Sequence, residues 1–319
     1  MNRADLLSLC EEYNAYLRDC EVVYKAWDSR YFYPLIAYIH LLKQVEPNKE
    51  MLEICTKILN DNSAWYSPFR SDSRQIALAM LCTSADPAVL MLNARDFYNK
   101  LYSRVPSGSY LSALSLMAAE RIPPSEFDQV ADETTYCYEH MVDDHFWLTG
   151  REDVIFAGFL AMEKKDWQLI LTDAEKCFAR LRPEFRFSGN VLQLISQNLA
   201  LCPGTNEQRC LNFLQLVDLL KNRGVKVKKS YELGGMALLA NVSLDLNEVA
   251  DSITFVLDYL DRQQGYGILS SYRTFRLMHA VMITALYHMN ASLEMMGAMI
   301  VSVLVQIQQE RAAAAAAAA

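Results

Sequence analysis

The chain has 319 residues, of which 52% are hydrophobic and 21% charged, with 11 glycines and 9 prolines. That composition is globular and excludes collagen-like, linker-rich and disordered chains. A formal net charge of −8 argues against non-specific nucleic-acid binding, whose affinity comes from neutralised phosphates.

In chain order, a polar-apolar helix is expected from Asp5 to about Trp27, followed by helices over residues 31–45 and 49–60. Beyond these, short Ser/Thr/Gly junctions recur. They begin at Ser71, Ser107, Thr149, Ser188, Ser230 and Ser270, with spacings of 36, 42, 39, 42 and 40 residues. Ser and Thr favour helix starts because the side-chain oxygen accepts from an orphan first-turn N–H. Thr149 and Glu152 stand three apart, as in a capping box, and Asp153 adds charge where the helix dipole favours it.

Seven residues past each anchor stand Leu78, Leu114, Phe156, Ile195, Ala237 and Leu277. Eleven past stand Cys82, Ala118, Leu160, Leu199, Asn241 and Val281, with Asn241 the one polar exception. The two columns are an i, i+4 step apart and predict one buried face on each first helix. Polar breaks at residues 83–87, 121–125, 164–166, 202–206 and 243–247 then lead into second amphipathic helices. Leu211, Leu214, Val217 and Leu220 show the helical spacing of one of them, and Ile253, Val256, Leu257 and Leu260 that of another.

Two helices in about 40 residues match the armadillo and HEAT size class. The expected fold is therefore all-α, built of stacked helix hairpins. Either an open α-solenoid superhelix or a closed α/α toroid satisfies the pattern. The expected organisation is an N-terminal helical cap over residues 1–28 and one continuous repeat domain over 29–311. The alanine run 312–319 reads as an artificial tail.

Eight cysteines, at positions 10, 20, 55, 82, 137, 177, 202 and 210, mostly lie in apolar helical stretches and never as C-x-x-C. They read as buried thiols of a reducing compartment rather than as a disulfide or zinc framework. With no secretory signal at the start, the expected location is the cytoplasm. Residues 291–307 are apolar but contain Glu294 and fall short of the roughly 20 residues that span a bilayer. A buried terminal helix is expected there, with no membrane span.

No P-loop, nucleophile elbow, zinc-protease pair or calcium loop is present, and neither a cofactor nor a metal is expected. The densest polar constellation is His140, Asp144, His145 and Trp147, followed by Arg151, Glu152 and Asp153. His140 and Asp144 are i, i+4 neighbours, a spacing suited to one cation or a shared proton. The alternative is a solvated helix end with Glu152 and Asp153 as cap and dipole partners.

A second candidate is the basic group Lys221, Arg223, Lys226, Lys228 and Lys229, suited to a phosphate or an acidic segment. Its structural alternative is an inter-repeat loop with Gly224 as the C′ cap of a helix. Aromatic density at Tyr24, Trp27, Tyr31, Phe32, Tyr33, Tyr38, Trp65, Tyr66 and Phe69 suits either a ligand groove or the packing of the first repeats. His40, His279 and His288 read as core or boundary residues.

At Phe146-Trp147-Leu148-Thr149-Gly150-Arg151-Glu152-Asp153, continuing through Ala157 to Leu160 and Ala161, the chain resembles an uncharacterised bacterial family known only as a domain of unknown function. The resemblance rests on an F-x-L-T-x-x-E-D helix start with an alanine- and leucine-rich continuation. It implies no activity and transfers no functional residue. Two functions of different class are therefore expected from the residues. One is a non-catalytic scaffold that binds a protein or peptide partner. The other is an α/α-toroid enzyme acting on a carbohydrate or another polar small molecule with acids near Glu152 and Asp153.

Overall fold

The computed structural model describes the chain except for residues 1, 26–30, 146–148, 164–165, 186–187, 242, 268–269, 290–292 and 319. Fifteen α-helices and no strand occur among the described residues. After α1 (Arg3–Tyr24), first and second helices alternate. The first helices are α2 (Phe32–Lys43), α4 (Arg74–Cys82), α6 (Ser109–Arg121), α8 (Val154–Met162), α10 (Gly189–Leu201), α12 (Leu233–Leu239) and α14 (Arg276–Met289). The second are α3 (Lys49–Asn62), α5 (Pro87–Leu101), α7 (Phe127–His145), α9 (Trp167–Leu181), α11 (Asn206–Asn222), α13 (Leu246–Leu260) and α15 (Leu293–Ala318).

The chain divides into two compact units. Unit 1 comprises residues 1–15 and 166–299, and unit 2 residues 16–165 and 300–319. Within unit 2, α2, α4, α6 and α8 pack side by side in one layer and α3, α5 and α7 in another. Unit 1 repeats the arrangement with α10, α12 and α14 against α9, α11 and α13. The most extensive pairings run across the junctions, α5 on α6, α7 on α8, α9 on α10 and α13 on α14. A second helix thus packs chiefly on the first helix of the following repeat.

The apolar columns explain the layering. Leu78, Leu114, Phe156, Ile195, Ala237 and Leu277 are all buried, as are Cys82, Ala118, Leu160, Leu199 and Val281. Asn241 lies beyond the end of α12 and is half-buried. First helices are enclosed almost throughout: every residue of α8 and of α12 is buried. Second helices keep one polar face outside, the amphipathic pattern of a surface helix. In α15, residues 295–305 are buried without a break, which accounts for the apolar stretch of the sequence. Among the described residues no helix is long and apolar enough to cross a membrane.

Helix capping departs from the sequence expectation. None of the first helices α4, α6, α8, α10 and α12 receives a side-chain cap from its junction. The junction hydroxyls bond elsewhere. Ser73 Oγ donates to the Pro68 carbonyl at 2.8 Å and pairs with Ser112 Oγ at 2.7 Å, and Ser71 Oγ pairs with Ser109 Oγ at 3.1 Å. These bonds tie neighbouring repeats together inside the first-helix layer.

Side-chain caps belong instead to the second helices, whose N-termini face water. Asn48 accepts from Met51 N at 3.0 Å, Asp86 from Val89 N at 3.0 Å and Asp166 from Gln168 N at 3.1 Å. Asp245 accepts from Asn247 N at 2.8 Å. Thr205 and Gln208 form a full capping box, each accepting from the other's backbone N–H. These caps recur 38 residues apart between Asn48 and Asp86, 39 between Asp166 and Thr205 and 40 between Thr205 and Asp245.

Candidate functional site

The 140–153 constellation lies at the turn from α7 into α8 in unit 2. Residues 151–153 form a 3-10 turn that leads directly into α8. Asp153 is 5% exposed, and its carboxylate accepts from Gly150 N at 2.7 Å. Tyr138 Oη donates to the Gly150 carbonyl at 3.1 Å, and Thr149 Oγ1 to the Met141 carbonyl at 2.7 Å. The predicted box between Thr149 and Glu152 is therefore replaced by an Asp153–Gly150 bond, because Thr149 turns back to the end of α7. Burial, then the charges of Asp153 and Glu152, push the Tyr138 phenol up to about 12.

Arg151 and Glu152 stay close enough to Asp153 to act with it on Tyr138. His140 and Arg151 are exposed, and Glu152 is half-buried. Trp147 lies outside the described residues, and so do the side chains of Asp144 and His145, which leaves the His140–Asp144 pairing outside the described structure. Among the described residues no three His, Cys, Asp or Glu side chains gather as metal ligands.

The basic group lies in unit 1, at the end of α11 and in the strap that leads to α12. Lys221 Nζ is 3.3 Å from Asp218 Oδ1. Arg223 brings Nε and Nη2 to Asp251 Oδ1 at 2.8 and 2.7 Å. Lys229 donates to the Glu184 carbonyl and sits 5.3 Å above the Phe185 ring. Lys226 and Lys228 are exposed. The five do not point to one spot. Gly224, with φ +79°, is the expected C′ residue: its N–H reaches Lys221 O at 2.9 Å, and Val225 N reaches Leu220 O at 3.0 Å. Those two bonds constitute a Schellman motif.

A carboxyl that the sequence reading passed over lies beside this strap. Burial raises Glu232 to about 7, against the opposing effect of Lys228. Ser230 Oγ, two residues earlier, is enclosed without a hydrogen-bond partner. Glu232 immediately precedes α12 and was visible in the sequence only as part of a junction. Nothing in residue spacing signals its desolvation.

Of the aromatic residues, Tyr24, Phe32, Tyr33, Tyr38 and Phe69 are buried in the packing of unit 2. Trp65 and Tyr66 are instead 81% and 74% exposed, edge to face with centroids 5.6 Å apart. Trp27 is outside the described residues.

A further surface feature follows the second-helix caps. The residue three past the cap is exposed and apolar at Met51, Val89 and Leu169, and the residue six past at Ile54, Leu92 and Leu211. In unit 2 the neighbouring helices α3 and α5 carry Met51 and Ile54 on one and the equivalent Val89 and Leu92 on the other. Between the turn that follows α5 and helix α7 lies a polar groove of about 470 Å³ lined by Ser103, Arg104, Asp132, Thr135, Tyr136 and Glu139. Arg104 and Asp132 form an ion pair of 2.7 Å within it.

This fold defines an all-α protein of helix-hairpin repeats whose first helices are enclosed and whose second helices form the accessible surface. The chain belongs to the family described as "Protein of unknown function (DUF4003)", which matches residues 21–312. No curated protein and no solved structure matches it.

Proposed function

We propose that the chain is a non-catalytic scaffold that binds a protein or peptide partner, and that the partner docks on second helices rather than on first ones. The observation that carries this reading is the repeated exposure of Met51, Ile54, Val89 and Leu92 at equivalent positions of α3 and α5. Apolar side chains at i, i+3 on neighbouring helices are a recurrent anchor for a helical or extended segment. The first helices are buried almost throughout, which leaves the second helices of each unit as the layer a partner can reach.

All eight cysteines are free and buried, which supports the cytoplasm as the working compartment. The net charge of −8 supports a protein rather than a nucleic-acid partner. The expected organisation as one repeat domain over residues 29–311 belongs to the same proposal.

An affinity capture from the source cell tests it, comparing the native chain with an Ile54→Asp, Leu92→Asp double variant. Both positions are about half exposed, so the variant keeps its fold, which circular dichroism verifies. A partner recovered with the native chain and lost with the variant is the expected result. Equal recovery with both chains, or none with either, overturns the reading.

A second reading, an enzyme acting on a polar small molecule, draws support from one observation. Glu232 is held near 7, the range in which a carboxyl serves as general acid at neutral pH. Turnover by the native chain that disappears in Glu232→Gln would favour it over the scaffold.

A further inference from the structure

Two pairs of cysteines face each other across neighbouring helices, one pair in each unit, and within each pair the two thiols perturb one another's ionisation. Cys55 of α3 meets Cys82 of α4 in unit 2, and Cys177 of α9 meets Cys210 of α11 in unit 1. The surroundings of the second pair set it apart. Cys177 Sγ lies 3.9 Å from the Asn206 carbonyl, the residue one turn before Cys210, and Cys210 Sγ lies 4.0 Å from the Cys177 carbonyl. Each side chain therefore reaches the backbone of the other second helix across the seam between α9 and α11.

Charge completes the arrangement. Arg209 is 7% exposed, and its Nη1 binds Asp173 Oδ2 at 2.9 Å. Its Nε is enclosed with no hydrogen-bond partner. A buried guanidinium with an unsatisfied N–H favours an anionic neighbour, since the orphan donor is otherwise a net cost. Arg180, one turn along α9 from Cys177, adds a second positive charge and is itself ion-paired to Glu207 at 2.5 Å.

We propose that Cys177 and Cys210 are a redox-active dithiol that a peroxide converts to a disulfide cross-linking α9 to α11, with Cys210 as the attacking sulfur. The neighbouring Cys177 thiol, with Arg180 and Arg209 adding to it, favours the Cys210 thiolate, whereas the Cys210 side and burial hold Cys177 as the thiol. The Cys210 thiolate attacks the O–O bond of hydrogen peroxide, forming a sulfenic acid and expelling hydroxide, which takes up a proton. Cys177 then displaces the sulfenic oxygen as water while its own proton leaves with it, and the S–S bond forms. Two thiols and one peroxide yield one disulfide and two waters.

Although both sulfurs are buried, Lys176 and Leu211, each adjacent to one of them in sequence, are exposed. The Cys55–Cys82 pair serves as a control inside the same molecule, because its ionisation is influenced by burial and by the phenol of Tyr24, with no guanidinium among the causes. Cys10 and Cys137 are held up to about 12, chiefly by burial, and provide single-thiol controls.

The experiment exposes the full-length native chain to hydrogen peroxide, quenches it by alkylation and maps disulfides by mass spectrometry without reduction. A Cys177–Cys210 linkage that appears before any Cys55–Cys82 linkage, and before oxidation of Cys10 or Cys137, is the expected result. In Cys177→Ala, a sulfenic-acid trap should label Cys210. Arg180→Gln, a substitution at an exposed position, should slow the linkage by roughly two- to fivefold, the effect of a fraction of a pKa unit on thiolate content. Oxidation of all thiols at one rate, oxidation only on unfolding, or a rate indifferent to Arg180→Gln would each overturn the proposal.

Discussion

At the scale of the residue, Asp153 and Glu152 separate two roles that are adjacent in sequence. Asp153 is the buried acceptor of Gly150 N, while Glu152 is half-buried beside the same turn. Asp153→Ala leaves that N–H without its acceptor and is expected to lower stability by about 1–2 kcal/mol. Glu152→Ala should change it by less than about 0.5 kcal/mol. Urea denaturation of the two variants checks the contrast, and equal losses would show that the turn is held otherwise.

His40 is a second residue with a defined state. Its Nδ1 lies 2.7 Å from the Val45 carbonyl, which can only accept, so Nδ1 carries the proton. Nε2, 2.7 Å from Tyr24 Oη, then accepts from the phenol. Burial lowers its pKa in agreement with that neutral form.

At the scale of the element, close approach within the first-helix layer depends on glycine. A Cβ on Gly158 of α8 would stand 2.3 Å from Leu114 Cδ1 of α6, and one on Gly234 of α12 would stand 2.6 Å from Leu194 Cδ2 of α10. Leu114 is fully buried, so it must shift within the core to admit that Cβ. Gly158→Ala is therefore expected to destabilise by about 1–3 kcal/mol through overpacking, less the roughly 1 kcal/mol that alanine gains in a helix. Shortening the opposing side chain in a Gly158→Ala, Leu114→Val double variant should recover part of the loss. Additive losses in thermal melts would refute the contact as its cause.

The same scale shows what the sequence made legible. The junction anchors lie at or within a few residues of the starts of α4, α6, α8, α10, α12 and α14, and the apolar columns lie inside those helices because packing demands a helical period. Capping chemistry was placed on the wrong set of helices. A serine at a buried helix start has a neighbouring repeat to bond, as Ser73 has in Ser112, whereas Asn48, Asp86 and Asp245 start solvent-facing helices. Glu232 and the Cys177–Cys210 pair escaped notice for a different reason. Their properties arise from desolvation and from contacts between helices 33 residues apart in sequence, which no local pattern encodes.

At the scale of the whole molecule, buried histidines couple folding to protons. His279 is fully enclosed, with Nδ1 2.9 Å from Tyr266 Oη and Nε2 without a partner, and burial lowers it to about 3 from an ordinary 6.5. Because its folded pKa is depressed, the unfolded chain binds the proton first as pH falls. Its stabilising effect is complete above about pH 6.5 and declines toward about pH 3. Between pH 6.5 and 5 the expected loss is about 2 kcal/mol, and lowered His40 and His288 act in the same direction. Urea midpoints measured across this range should fall with pH, and His279→Phe should flatten the slope. An unchanged slope would place the linkage elsewhere.

The division of the chain has a kinetic consequence. Unit 1 unites residues 1–15 with 166–299, joined by Asn14 Nδ2 to Gln263 Oε1 at 2.9 Å and by Asn2 N to Tyr287 Oη at 2.8 Å. Unit 2 unites 16–165 with 300–319, and Tyr110 Oη reaches Gln308 Oε1 at 3.3 Å. Most helix contacts are between near neighbours and form as the polypeptide emerges from the ribosome, but the last contacts of each unit close loops of about 200 residues or more. Each unit therefore stays incomplete until segments far apart in sequence meet, and until then the apolar faces they cover are the surface most in need of a chaperone.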